Sequence, residues 1–346
     1  VWHGDISQSA RKKIISEPPD CLLTTPESIE SMLISSRTDN VPLFENLHAV
    51  IIDEIHAFAG DDRGWHLLAV LERLTKLAGR EMQRIGLSAT VGNPKELLDW
   101  FAEHCNGDRA VLLDDTDDVA PDVKLDFVGN LENAAIVISR LHTGKKRLVF
   151  CDSRARVEQL ALSLRKKGVN TFVSHSSLSA EVRRQSEAAF QDETDCVIVA
   201  TSALELGIDI GAVDLVCQLE SPKSVAAGLQ RVGRAGHLLD ATSKGRLLIF
   251  ERDELFEAAA ICRAMIDGQI DDVQIPRNCL DVLAQQITGA VASRPYQADE
   301  LYALIRRAHP YAALPRQQFD TVLSMTAGDH PFQMARPPRP LLLWDR

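Results

Sequence analysis

The sequence predicts an α/β protein: parallel sheets built of βαβ units, followed by a mainly helical region. Two patterns carry this. From Cys21 to Arg252, short apolar and β-branched runs alternate with stretches of helical periodicity, the signature of strands joined by crossover helices. After Arg252 the strand signal stops and four amphipathic stretches follow. Size and composition agree, since 346 residues with 45% hydrophobic and 25% charged side chains suit about two or three globular domains. The same figures exclude disorder, collagen and coiled coil.

The strands expected, in order, are Cys21 to Thr24, Ala49 to Ile52, Arg84 to Leu87, Arg147 to Phe150, Asn170 to Val173, Cys196 to Val199, Asp214 to Cys217 and Gly245 to Phe250. Nearly all are continuous apolar runs, as parallel strands buried on both faces should be. Helices are expected over Arg63 to Leu77, Pro94 to His104, Ala155 to Lys167 and Ala180 to Phe190. Between Gly107 and Asp126 seven aspartates stand against Arg109 and Lys124 around Pro121, which reads as a domain junction. Beyond it, Glu254 to Met265, Asn278 to Val291, Ala298 to Ala308 and Arg316 to Met325 read as helices, and Leu341 to Trp344 as the start of a strand. The expected domains are therefore 1–112, 113–252 and 253–330, with 331–346 opening a further region.

No apolar stretch approaches the roughly 20 residues of a membrane span, and the start, Val1-Trp2-His3-Gly4-Asp5, has no basic and apolar leader pattern. The seven cysteines contain no CxxC pair, and Cys151, Cys196 and Cys217 fall in apolar runs. That usage suggests a reducing, cytoplasmic setting without structural zinc. The chain does not begin with methionine and holds no G-x-x-x-x-G-K-[ST] phosphate loop, Gly144-Lys145 being followed by Lys146. It is expected to be cut at its front.

The sharpest chemical signal is Val50-Ile51-Ile52-Asp53-Glu54-Ile55-His56. An apolar strand ending in two carboxylates puts them at the tip where open α/β sheets bind ligands. One can hold Mg²⁺ through water while its neighbour orients and deprotonates an attacking water. Taken alone, the pattern is equally a strand that ends in surface acids. A zinc protease needs a second histidine on the same helix, and His56 has none. Leu87-Ser88-Ala89-Thr90 follows the next strand, where its hydroxyls can hydrogen-bond the acid or His56. Gln230-Arg231-Val232-Gly233-Arg234 places two arginines three apart at a helix end. Arginine suits the stabilisation of a transferring γ-phosphoryl group; the alternative is an ordinary basic helix face.

In order along the chain, Thr24-Thr25-Pro26-Glu27, Asp53-Glu54-Ile55-His56, Ser88-Ala89-Thr90, Phe150-Cys151-Asp152-Ser153-Arg154, Thr201 to Asp209 and the arginine motif resemble motifs Ib to VI of the superfamily 2 (DEAD/DEAH-type) helicases. The form Asp-Glu-Ile-His, together with Arg63-Gly64, Leu71-Glu72-Arg73-Leu74, Arg234-Ala235-Gly236-His237 and Leu280 to Ile287, resembles the Lhr-type (large helicase-related) branch. The resemblance covers essentially the whole chain.

It implies two RecA-like P-loop NTPase domains, the first truncated at its N-terminus, and a mainly helical winged-helix domain. It also implies ATP-driven 3'-to-5' translocation on single-stranded nucleic acid, DNA more than RNA, with a role in DNA repair. By position, Asp53 would bind Mg²⁺-ATP, Glu54 would be the catalytic base, and His56 with Ser88 and Thr90 would couple hydrolysis to movement. Gly207, Asp209, Gln230, Arg231 and Arg234 would serve the nucleotide, Arg234 as the finger. Thr25, Pro26, Ser153, Arg154 and Thr201 would touch strand phosphates, which hydroxyls and amides at helix N-termini bind without reading bases. No metal other than Mg²⁺ is implied.

Three departures stand beside this. His237 occupies a place where many superfamily 2 members have arginine. Ser174-His175-Ser176-Ser177-Leu178-Ser179 replaces a family His-His-Gly-Ser-Leu-Ser. The phosphate loop is absent, and its lysine and amides ordinarily cradle the β and γ phosphates. That absence keeps a second reading open: a non-catalytic nucleic-acid-binding or scaffolding protein with a degenerate motor. The net charge of -11 is unusual for a nucleic-acid binder, but the Gly107 to Asp126 junction concentrates acid locally. Trp2 and Trp344 read as packing residues rather than base platforms.

Overall fold

The computed structural model describes residues 1–2, 6–35, 41–89, 91–103, 105–113, 120–201, 204, 211–235, 242–329 and 339–345. The chain divides into two compact units, one formed by 1–89, 93–112 and 273–346, the other by 90–92 and 113–272.

The first unit opens with α1 (Gln8–Ser16), α2 (Pro26–Leu33) and α3 (Val41–Phe44). Strand β1 (Ala49–Ile52) leads through Asp53 and Glu54 into α4 (Ile55–Ala59) and then α5 (Asp62–Ala78). Strand β2 (Gln83–Gly86) pairs in parallel with β1, Ile52 opposite Gly86, and α6 (Pro94–Ala102) follows. Helix α5 starts cleanly because Asp61 accepts the Arg63 amide, and it stops at Gly79, whose φ of 65° is the left-handed conformation glycine adopts most readily. Thirteen of its 17 residues are buried, an all-round burial possible only because α2, α3, α4 and two later helices pack against it. The expected strand Cys21 to Thr24 is irregular backbone: a strand needs a neighbouring ladder, and among the described residues one backbone bond reaches it, from the Trp2 amide to Leu23 O.

The second unit is a six-stranded parallel sheet. Its elements are β3 (Asp122–Phe127), α7 (Leu131–Arg140), β4 (Lys146–Phe150), α8 (Arg154–Lys166), β5 (Thr171–Ser174), α9 (Ala180–Asp192), β6 (Cys196–Ala200), β7 (Leu215–Leu219), α10 (Val225–Gly233), β8 (Lys244–Ile249) and α11 (Glu254–Ile266). The strand order is β3-β8-β7-β4-β6-β5, with every pair parallel. Alternate side chains of β4 divide the core. Val149, with Cys151 just beyond the strand, packs under Ile138 of α7 and Leu160 of α8, while Leu148 and Phe150 face Phe190 of α9. Helix α11 packs on β3 and β8 of this sheet, so it belongs to the second unit.

The chain then returns to the first unit with α12 (Leu280–Ser293), α13 (Ala298–Arg306) and α14 (Arg316–Thr326). The strand expected at Leu341 to Trp344 is irregular backbone, tied by the Leu341 amide to Thr326 O. The parallel sheets with their crossover helices, and the helical α12 to α14, agree with the expected α/β domains followed by a mainly helical region.

Candidate functional site

In the first unit the acids stand where β1 ends. Asp53 is exposed and its Oδ1 accepts the Glu54 amide at 3.0 Å. Glu54 has φ 50° and ψ 44°, a left-handed conformation uncommon for a residue with a side chain. It occupies the N-cap of α4 yet makes no capping bond, so its carboxylate is not consumed by the helix. Next door, Ile55 N–H donates to Leu87 O and Leu87 N–H to Ile52 O, which fixes the tips of β1 and β2 side by side. Gly86 allows the closure, since a Cβ there would lie 2.8 Å from Ile55 Cδ1.

Ser88 lies on that neighbouring tip, and its Oγ is 3.0 Å from His56 Nδ1. The Ser88 hydroxyl donates to Ala89 O at 2.7 Å, so its oxygen must accept from His56 Nδ1–H. Burial holds the His56 pKa below its ordinary value against the opposing pull of Glu54 and Asp53. The His56 Nε2 lies 3.7 Å from Glu54 Oε2, beyond hydrogen-bond distance and attractive only when the ring is protonated. Asp53 and Glu54 are thus tied to each other at one strand tip, and His56, close to Glu54, is tied to Ser88 on the other. A carboxylate that spends one oxygen on a single amide has the donor set for a water-shelled Mg²⁺, so the residues present fit that ion.

Thr25 heads α2, with Pro26 at its first position. The Thr25 oxygen accepts the Ser28 amide at 3.3 Å and its hydroxyl lies 3.1 Å from Ser28 Oγ. Glu27 in the same turn pairs with Arg63 Nε at 2.7 Å, tying the heads of α2 and α5 together. Gly64 explains the rest of that Arg-Gly pair, because an added Cβ would meet Phe58 O at 1.9 Å.

The second unit gathers its own set along the C-terminal edge of the sheet. Phe150 and Ser174 both lie opposite Ala200 in register, so the residues leaving β4, β6 and β5 are lateral neighbours. Ser153 caps α8 by accepting the Arg156 amide, Arg154 donates to Ser177, and the Thr201 amide donates to Ser174 O. The structure brings Ser153, Arg154 and Thr201 together with the variant Ser174 to Ser179 loop. Within it, His175 is buried and its Nε2 is 2.9 Å from Glu158 Oε1.

At the end of α10, Gln230 and Arg231 lie in the last turn and Arg234 is the C-cap. Arg231 is aimed by two groups that sequence reasoning missed: its Nη1 donates to Gln218 Oε1 of β7 at 2.8 Å, and its guanidinium lies 5.4 Å from the Phe150 ring centroid. A glutamine inside an otherwise apolar strand is the signal that could have found the first of these. Thr90, Gly207, Asp209 and His237 lie outside the described residues.

Three family models match the chain in succession: DEAD/DEAH box helicase over 1–97, helicase conserved C-terminal domain over 130–238, and the winged helix domain of the large helicase-related protein over 263–346. The chain belongs to the Lhr-type branch of the superfamily 2 helicases. Among its Lhr relatives are the ATP-dependent helicase Lhr-Core of Methanothermobacter thermautotrophicus, 35% identical over 95% of this chain and 40% of that protein, and the Lhr helicase/uracil glycosylase of Escherichia coli, 36% identical over 99% of this chain and 26% of that protein. The structure of Mycobacterium smegmatis helicase Lhr bound to ssDNA and AMP-PNP superposes with a TM-score of 0.83 at 35% identity, over 99% of this chain and 45% of that one. This Lhr-type chain thus spans less than half the length of these relatives. Among its described residues no helix is long and apolar enough to cross a membrane.

Proposed function

We propose that this chain supplies the water-activating and strand-gripping parts of an ATP-dependent helicase that moves 3'-to-5' on single-stranded DNA, with Mg²⁺-ATP as fuel and DNA repair as its setting. The observation that carries the reading is the cluster at the tips of β1 and β2: Asp53 and Glu54 side by side, with His56 beside Glu54 and hydrogen-bonded to Ser88. A bound Mg²⁺ would withdraw charge from the transferring phosphoryl group. Asp53 would hold that ion, and Glu54 orients the attacking water and takes its proton. His56, between Glu54 and Ser88, couples hydrolysis at the first strand tip to the second. Arg234 is the finger, and Gln230, Arg231, Gly207 and Asp209 complete the nucleotide contacts. Thr25, Pro26, Ser153, Arg154 and Thr201 hold strand phosphates by contacts that read no base; Thr90 assists Ser88. The relative solved with ssDNA and AMP-PNP supports both ligands. All seven cysteines are free thiols, which supports a cytoplasmic location.

In the gene product that contains this chain, Glu54→Gln should lower strand-stimulated ATP turnover by about 100-fold or more, the range for loss of a general base, while equilibrium ATP binding persists. Turnover equal to the parent protein removes Glu54 as the base. These 346 residues hold no G-x-x-x-x-G-K-[ST] motif, and the second reading is a non-catalytic protein with a degenerate motor. The isolated chain should accordingly hydrolyse little or no ATP in a phosphate-release assay, and sustained turnover would mean that other residues cradle the phosphates.

A further inference from the structure

Two signature segments, Leu71-Glu72-Arg73-Leu74 and Leu280 to Ile287, have no part in the chemistry above, yet they lie on two helices, α5 and α12, that pack against each other. Arg73 on α5 is buried, and its Nη1 lies 2.7 Å from both carboxylate oxygens of Glu30, near the end of α2. Its Nη2 donates to Gly289 O of α12 at 3.2 Å. A Cβ at Gly289 would press on Glu30 Oε1, so any side chain there would have to push that carboxylate off Arg73. One turn or two along the same face of α5, His66 Nδ1 is 2.8 Å from Gln286 Nε2, and Lys76 pairs with Glu300 of α13. Three helices therefore meet at a single guanidinium, and the shortest of them is the one headed by Thr25.

Burying an ion pair is a poor way to gain stability, because desolvating both charges cancels much of their attraction and apolar replacements often do as well or better. What the fork supplies is direction: two fixed nitrogens engage a carboxylate on one helix and a carbonyl on another, a geometry that apolar contact leaves free to slide. We propose that Arg73, with Glu30 and Gly289, is a positioning device that sets α2 against the winged helix and so holds Thr25 in register to grip strand phosphates. This rests on the reading of Thr25 as a strand contact.

The test is binding of a fluorescent oligothymidine to the chain, read by anisotropy beside thermal unfolding. The paired variant Glu30→Met with Arg73→Met should unfold at the same or a higher temperature yet bind the strand about tenfold more weakly, the factor that 1.4 kcal/mol represents. Thr25→Ala alone should weaken binding similarly, and combining it with the paired variant should add little, since both act through one contact. Arg73→Lys, which keeps the charge but not the fork, should fall between and serves if the methionine pair does not fold. Unchanged affinity in a folded variant overturns the positioning role and leaves the helicase reading standing, as does full additivity with Thr25→Ala. If Thr25→Ala binds normally, or the parent chain binds no strand, the reading of Thr25 falls and this inference with it.

Discussion

Glu300 is a single exposed carboxylate that bonds two cations from different places: Arg294 Nη2 at 2.7 Å and Lys76 Nζ at 2.5 Å. Arg294, and after it Lys76, hold its pKa down to about 2. A carboxyl whose folded pKa lies below its unfolded value stabilises the fold above the unfolded pKa and loses that contribution as pH falls toward the folded one. Glu300→Gln should therefore lower the unfolding temperature modestly at pH 6, and the gap to the parent chain should close between about pH 4.5 and pH 2. A gap that stays constant across that range would show that the ion pairs are not its source. Such residue-scale ties leave no trace in the sequence, since Lys76 and Glu300 belong to segments far apart in the chain. Asp53 and Glu54, by contrast, are legible, because strand and tip are contiguous and the alternation of apolar run and acid is local.

At the scale of elements, the contact between α4 and α5 depends on one missing side chain. Gly64 lies where a Cβ would press on the carbonyl of Phe58, and a backbone atom cannot swing aside as a flexible side chain can. Gly64→Ala should destabilise the first unit by about 1–3 kcal/mol, the usual cost of overpacking, measured by denaturant unfolding; a loss below half a kilocalorie would mean that α4 yields easily. The interior strands β4, β6 and β7 are readable from sequence because burial on both faces makes their runs mostly apolar, with only Lys146 and Arg147 at the start of β4 and Gln218 in β7 as exceptions. Strand β3 is hidden inside the acidic stretch. It is an edge strand paired on one side only, so Asp122, Lys124 and Asp126 can stand among its apolar residues and the run looks like a linker. Cys21 to Thr24 errs the other way, being apolar enough for a strand but given no ladder to join.

At the scale of the whole molecule, the first unit is assembled from stretches of chain that lie before and after the second. Residues 273–346 cover α5 and supply the partners of His66 and Arg73. Without them a buried arginine keeps only Glu30, and apolar surface of α5 is opened to water. A chain ending at residue 272 should therefore retain a protease-resistant second unit of about residues 113–272 while its first 112 residues are digested, as limited proteolysis with mass spectrometry would reveal. Equal resistance of both parts would show that α5 needs no cover. Nothing in the sequence announces this interleaving, because each stretch looks like an ordinary domain by composition, and periodicity carries no information on which distant stretch will cover which.

The return of the chain to α5 also dictates an order of events on the ribosome. Domains generally fold as units as the chain emerges from its N-terminus, but α5 leaves the tunnel some two hundred residues before Gln286 and Gly289 exist to meet it. The continuous six-stranded sheet is complete by then and can fold first. During that interval the apolar flanks of α5 are exposed and Arg73 has Glu30 but not yet Gly289, so it is the stretch made before the sheet, not the one made after it, that has most need of a chaperone.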